Sequence, residues 1–121
     1  REGCAIPKAF ARGSAGVVAR GEHIYVINGA TNGHQKDYGA QAYSGLSRLD
    51  PASCAWSDMA APPAYNRDHF LAALVGSRIV LAAGRDSPRS SDPALSIHYT
   101  VAPVEWFDLD EPGAGWREGG A

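Results

Sequence analysis

The chain has 121 residues, of which 45% are hydrophobic and 20% charged, and its formal net charge is -2. This composition is typical of a small globular protein. The slight negative charge argues against nucleic-acid binding, which depends on clustered Lys and Arg side chains. No apolar stretch approaches the roughly 20 residues that cross a bilayer, and the opening residues lack the apolar core of a signal peptide. We therefore expect no nucleic-acid partner and no membrane span.

Apolar runs of strand length come in pairs along the chain. The first pair covers 16–19 and 24–27, with Gly21 in the turn between them, and the second pair covers 70–75 and 79–83, with Gly76 in the turn. Short β-branched and aliphatic runs interrupted by glycine are typical of β-hairpins. Because these runs are continuous and do not alternate with polar residues, we expect both faces of each sheet to be covered.

The two halves of the chain repeat each other. The segment "RGSAGVVARGEHIYVINGA" at 12–30 aligns without a gap with "RDHFLAALVGSRIVLAAGR" at 67–85, so that Arg12 is equivalent to Arg67. Third strands are predicted at 47–50 and 104–108, and fourth strands around Trp56 and Trp116. Since a period of about 50 residues is typical of repeat proteins such as propellers, we place one unit at 12–66 and another at 67–121, with 1–11 as the end of a preceding unit.

The order of these landmarks resembles the kelch repeat. Within each unit it runs through "IYVING" or "IVLAAG", then "LDPASCAW" or "FDLDEPGAGW", and "MAAPP" at 59–63 comes near the end of the first unit. The diglycine of that family is replaced here by Asn28-Gly29 and by Ala83-Gly84. The resemblance implies an all-β fold, a partial β-propeller of about two four-stranded antiparallel kelch-type blades in a single domain. Propellers typically have about four to eight blades, so the remaining blades are expected from the same longer chain or from other copies.

The loops after the second strand of each unit are the expected binding face. They are long, at 30–45 and 85–102, and they lie at the same end as the passage from one unit to the next, because antiparallel strands alternate in direction. Long loops in a compact fold commonly carry function. The candidate ligand-binding residues at this end are Arg12, Asn32, His34, Arg67, Asp68, His69 and Arg85, and loop tyrosines suited to sugar or protein contact are Tyr38, Tyr43, Tyr65 and Tyr99.

The arginines and histidines of this set suit a carboxylate, a sugar or an acidic side chain, which they can bind through forked hydrogen bonds. Arg12 and Arg67 occupy the same position of the repeat, so the alternative is that each binds loop carbonyls within its own unit. Asp68 and His69 are neighbours, and neighbours on an extended strand point to opposite faces. We therefore expect no acid–base dyad, and no catalytic residue is assigned.

Cys4 and Cys54 are predicted to be unpaired, partly buried thiols, with a disulfide or a functional role as the alternatives. The sequence has no CxxC motif and no Cys/His ligand cluster. Asp50, Asp58, Asp108 and Asp110 lie in or beside turns, where Asp commonly bonds its own backbone. We expect neither a metal nor a cofactor, and the cellular location stays open, with secreted and periplasmic locations compatible with the sequence.

The kelch resemblance most often implies a non-enzymatic module that binds a protein or a carbohydrate through the loops of one face. The alternative is part of a kelch-type enzyme, similar either to the galactose oxidases, which use copper, or to the sialic acid mutarotases, which need no cofactor. No residue of this chain can be matched to the oxidase's copper ligands, so none is carried over. Binding is the preferred interpretation over catalysis.

Overall fold

The structure, a computed structural model, describes residues 3–31, 41–60, 62–90 and 99–119. Within these ranges the chain forms ten β-strands, two single turns of 3₁₀-helix and one short α-helix. In chain order the strands are β1 (Gly16–Arg20), β2 (His23–Ile27), β3 (Ala30–Thr31), β4 (Gln41–Ala42), β5 (Leu46–Asp50), β6 (Ala55–Ala60), β7 (Leu71–Val75), β8 (Arg78–Ala82), β9 (Glu105–Asp108) and β10 (Trp116–Glu118). The helical segments are Lys8–Phe10, α1 (Ser87–Ser90) and Pro112–Ala114. None of them is long and apolar enough to cross a bilayer.

The strands form two four-stranded antiparallel sheets with the same topology. The first sheet has the order β1-β2-β5-β6 and the second the order β7-β8-β9-β10, while β3 and β4 form a separate two-stranded ladder. Both ends of β1 and β2 coincide with those of β7 and β8 when Arg12 is aligned with Arg67. The prediction of an all-β chain is confirmed, and the sequence repeat at 12–30 and 67–85 corresponds to a repeat of the hairpin. We call the β1, β2, β5, β6 sheet with its loops the first unit and the other the second unit.

The aliphatic residues of the repeat form the core. Ile27, Leu46, Ile79, Leu81 and Phe107 are all completely buried. They belong to one continuous apolar cluster that includes both sheets, so the two units share a core. Burying side chains of this size is the main stabilising contribution in a fold of this kind.

The two sheets approach each other through β1 and β7. Gly16, at the start of β1, permits this approach because a Cβ atom there would lie 2.6 Å from the Cβ of Ala72 and 2.6 Å from the ring of Phe70. A contact of that length is too short for two carbon atoms, so any larger residue would push the sheets apart. The sequence of the first hairpin therefore determines how closely the second unit packs.

A tight turn at Asn28-Gly29 follows β2. Gly29 has a φ of 118°, and a Cβ atom on it would lie 2.7 Å from the carbonyl oxygen of Gly13. Gly84 at the equivalent position has a φ of 89°, and its Cβ would lie 2.5 Å from the Cβ of Phe70. Only glycine fits both the left-handed backbone and the close approach. The turn brings the segment after β2 back onto the segment before β1.

The prediction of unpaired thiols is wrong, because Cys4 and Cys54 form a disulfide. Their Cα atoms lie 5.3 Å apart although 50 residues separate them in sequence. Cys54 lies in the turn between β5 and β6, and the segment that contains Cys4 folds back against it. The sequence spacing carries no sign of this contact, since it arises from tertiary packing of the segment that precedes the first unit.

Candidate functional site

The segments before the first strand and after the second strand of each unit meet at one end of the sheets. Gly13 exchanges two backbone hydrogen bonds of 2.9 Å with Ala30, and their repeat equivalents, Asp68 and Arg85, exchange bonds of 2.8 and 3.0 Å. The N–H of His69 donates to the carbonyl of Ser14 at 3.0 Å and so joins the two units. We call this region, formed by 12–15, 28–31, 62–69, 83–90 and 99–103, the loop end.

Arg12 serves the first unit internally. Its Nε donates to the carbonyl of Asn28 at 3.1 Å, and its Nη2 donates to the carbonyl of Val26 at 2.6 Å. The guanidinium lies over the ring of Tyr43, 4.0 Å from the ring centroid. Its Nη1 also donates to the carbonyl of Phe10 at 3.1 Å and to the hydroxyl of Ser47 at 3.0 Å, so the guanidinium is held within the protein at the turn after β2.

Arg67 makes the equivalent contacts in the second unit. Its Nη1 donates to the carbonyl of Ala83 at 2.9 Å, and its Nη2 donates to Pro103 at 2.7 Å and to the Glu105 carboxylate at 3.0 Å. Ala83 is the repeat equivalent of Asn28, so the two arginines donate to the carbonyl of the same repeat position. Arg67 is only 1% exposed. A guanidinium buried in this way cannot meet a ligand from solution, and the geometry supports the loop-carbonyl alternative for both arginines.

Asp68 and His69 are in contact, contrary to the expectation that neighbouring residues point to opposite faces. Oδ2 of Asp68 lies 2.6 Å from Nδ1 of His69. The alternation rule fails here because His69 has a φ of 51°, in the left-handed region, so the chain is not extended at this residue. The prediction that the Asp68 and His69 side chains point to opposite faces is therefore wrong.

Asp68 is held in place by several donors at once. The backbone N–H of Ser87 donates to its Oδ1 at 3.0 Å, and the hydroxyl of Ser87 donates to its Oδ2 at 2.6 Å. The Nε of Arg85 lies 3.4 Å from the same oxygen. Burial alone would raise the pKa of Asp68, but the hydrogen bonds from Ser87, His69 and Arg85 outweigh it and leave the pKa below its ordinary value. Asp68 is thus a buried, ionised carboxylate beside an exposed imidazole.

Ser14 completes this cluster and was not among the predicted residues. Its Oγ lies 3.0 Å from Nε2 of His69, on the opposite side of the imidazole from Asp68. Ser14 is exposed, and the His69 side chain is 54% exposed. The signal was present in the repeat alignment, because Ser14 and His69 are equivalent positions, and equivalent loops of adjacent units lie side by side.

A cavity of about 250 Å³ opens at the loop end of the second unit. Its walls combine Tyr65 and Asn66, from the passage between the units, with Asp86, Tyr99 and the segment 100–103. A backbone hydrogen bond joins two of its walls, since the N–H of Asp86 donates to the carbonyl of Tyr99 at 2.9 Å. Two of the loop tyrosines noted in the sequence therefore lie in one concave site, and Arg85 lies beside it.

The remaining predicted site residues, Asn32 and His34, lie outside the described residues, as does Tyr38. Among the residues that the structure describes, no three His, Cys, Asp or Glu side chains are grouped as ligands for a metal ion. The described site therefore consists of two neighbouring parts, the Ser14, His69 and Asp68 cluster and the cavity.

No family model matches the sequence, and no curated protein matches it. Among solved structures, one described as the structure of YjhT matches 97% of this chain with a TM-score of 0.70 and 11% sequence identity. At that identity the likeness shows the fold alone. The match covers 40% of the YjhT chain, so this chain spans about two fifths of the length of that structure.

Proposed function

We propose that the chain supplies two adjacent blades of a kelch-type β-propeller and binds a small carbohydrate at the loop end. Two sheets of identical topology, built from a repeated hairpin and packed side by side, support the propeller. The fold match to part of a longer chain supports further blades beyond these two. The unit boundaries at 12–66 and 67–121 stay predictions. The cavity lined by Tyr65 and Tyr99 is the observation that carries the binding proposal.

The chemistry of the cavity fits a sugar. Tyrosine rings pack against the apolar face of a pyranose, and Tyr99 is 41% exposed. The amide nitrogen of Asn66 offers donors for hydroxyl groups, while its Oδ1 already accepts the hydroxyl of Ser44 at 2.6 Å. At about 250 Å³ the space is slightly smaller than a typical drug-sized pocket, which favours a single sugar residue.

A concave site of this size favours a small ligand and not a protein partner, because binding a protein requires a broad area of contact. Carbohydrate binding is therefore preferred to protein binding among the two ligand classes expected from the sequence. The two kelch-type enzyme alternatives stay predictions. The disulfide between Cys4 and Cys54 supports a location outside the reducing cytosol, where disulfides persist.

Saturation-transfer NMR and calorimetry with D-galactose, D-glucose, N-acetyl-D-glucosamine and N-acetylneuraminate test this proposal. We expect at least one sugar to bind and Tyr99→Ala to weaken its binding about tenfold, or about 1.4 kcal/mol, through loss of ring contact. Tyr43→Ala is the matched control, because this loop tyrosine packs on Arg12 and does not line the cavity. We expect it to retain wild-type affinity.

Two outcomes contradict the proposal. Failure of all four sugars to bind the wild-type protein would remove the carbohydrate assignment. Equal affinity of wild type and a folded Tyr99→Ala variant would show that any sugar binds somewhere other than the cavity.

A further inference from the structure

Ser14, His69 and Asp68 form a hydrogen-bonded series at the junction of the two units. Ser14 Oγ lies 3.0 Å from His69 Nε2, and His69 Nδ1 lies 2.6 Å from Asp68 Oδ2. This is the order of hydroxyl, imidazole and carboxylate that activates a serine for attack on acyl groups, and it is recognised by geometry and not by sequence order. We propose that Ser14 is a catalytic nucleophile and that this cluster hydrolyses esters of small acyl groups.

Asp68 gives the imidazole the orientation that this chemistry needs. A buried carboxylate beside Nδ1 selects the tautomer with the proton on that nitrogen, and Nε2 then has a lone pair directed at the Ser14 hydroxyl. Ser87 holds Asp68 through its backbone N–H and its hydroxyl, at 3.0 and 2.6 Å. The carboxylate is 2% exposed and cannot turn away to solvent.

The two reacting side chains are accessible while their backbone is fixed. Ser14 and His69 have φ values of 54° and 51°, which residues other than glycine rarely adopt. Conformations of this kind persist where the surrounding structure imposes them, often at functional sites. The N–H of His69 donates to the carbonyl of Ser14 at 3.0 Å, so the nucleophile and the base are linked through the main chain as well. An exposed serine beside a half-exposed histidine suits a small acyl group delivered from solution.

The reaction has two half-reactions. In the first, Ser14 Oγ bonds to the acyl carbon as its proton passes to Nε2 of His69, and the ester C–O bond breaks as that proton passes to the departing alcohol. In the second, water bonds to the acyl carbon and gives a proton to His69, and the bond from the acyl group to Ser14 breaks as Ser14 regains that proton. An ester and water thus become an alcohol and a carboxylic acid.

Hydrolysis of p-nitrophenyl acetate and labelling with a fluorophosphonate probe, read by peptide mass spectrometry, test the proposal. We expect the wild-type protein to hydrolyse the ester and to carry the probe on Ser14. Ser14→Ala and His69→Gln are each expected to lower the rate about 100-fold, and His69→Gln to abolish labelling. Ser57→Ala is the matched control, since Ser57 is exposed on β6 and distant in sequence from the cluster, and it should keep the wild-type rate.

The proposal is overturned if the native wild-type protein is not labelled on Ser14, or if Ser14→Ala hydrolyses the ester as fast as wild type. Circular dichroism of each variant shows whether it is folded, and the labelling of wild type needs no variant at all. Sugar binding in the cavity is measured separately, so its failure leaves this result unchanged.

Discussion

Left-handed backbone conformations recur at equivalent residues of the two units. Ser14 and His69 have φ values of 54° and 51°, and Asn28 and Ala83 have values of 47° and 60°. Asn tolerates this region because its short polar side chain bonds locally, and Asn28 does so by accepting the N–H of Gly45 at 3.0 Å. Alanine has no such compensation, so the second unit is strained at Ala83.

Replacing Ala83 with glycine should therefore stabilise the protein. Removing the Cβ atom relieves the left-handed strain, and we expect a gain of about 1 kcal/mol in the free energy of unfolding, measured by urea denaturation. Ala82→Gly is the matched control, because Ala82 lies in β8, where glycine should destabilise by about 0.5–1 kcal/mol. A loss of stability in Ala83→Gly would show that the Cβ atom is not the source of strain.

The sequence identified Asp68 and His69 as candidates but not their contact. Residue types and the repeat are visible in the sequence, whereas the backbone angle of His69 is imposed by the bonds that its unit makes with Ser14 and Arg85. The repeat alignment makes Ser14 and His69 equivalent positions, but their contact depends on the placement of the two units side by side. The alternation of residues along a strand does not predict contacts that depend on how separate segments of the chain pack together.

At the scale of elements, the hairpins are the part that local sequence determines best. Strands β1 and β2 begin at the predicted residues or one residue earlier, because continuous apolar runs and the glycine turns specify them locally. The short β3–β4 ladder and α1 were not predicted. Their residues lie in the long loops, which are joined to the rest of the fold by the Gly13–Ala30 and Asp68–Arg85 bridges, and such tertiary contacts are not visible in local sequence.

The disulfide is the covalent link between elements, and it should contribute strongly to stability. Closing a loop between residues 50 apart in sequence restricts the unfolded chain by about 4 kcal/mol. We expect the Cys4→Ser, Cys54→Ser double variant to lose up to about this amount, measured by urea unfolding. Dithiothreitol should lower the midpoint of wild type and leave that of the double variant unchanged. Two titratable thiols in the native oxidised protein would contradict the link.

At the scale of the whole molecule, the two sheets leave apolar side chains of β1 and β7 in solvent. Val17, Leu71 and Val75 are 58%, 64% and 61% exposed. The sheets approach each other through these same strands. In the proposed propeller, further blades would lie next to these exposed side chains. That the chain is all-β and that its hairpin repeats followed from sequence alone. The cavity did not, because it forms only when 99–103 folds against the passage between the units.

The central claim is that ligands bind at the loop end, and amide NMR spectra of the isotope-labelled protein during titration with the four sugars test it most directly. We predict that a binding sugar shifts the signals of Tyr65, Asn66, Asp86 and the segment 99–102 and leaves those of Gly21 and Gly76 unchanged, because the turns at these glycines lie at the opposite end of the sheets. Shifts centred on Gly21 and Gly76, with the cavity signals unmoved, would contradict the account.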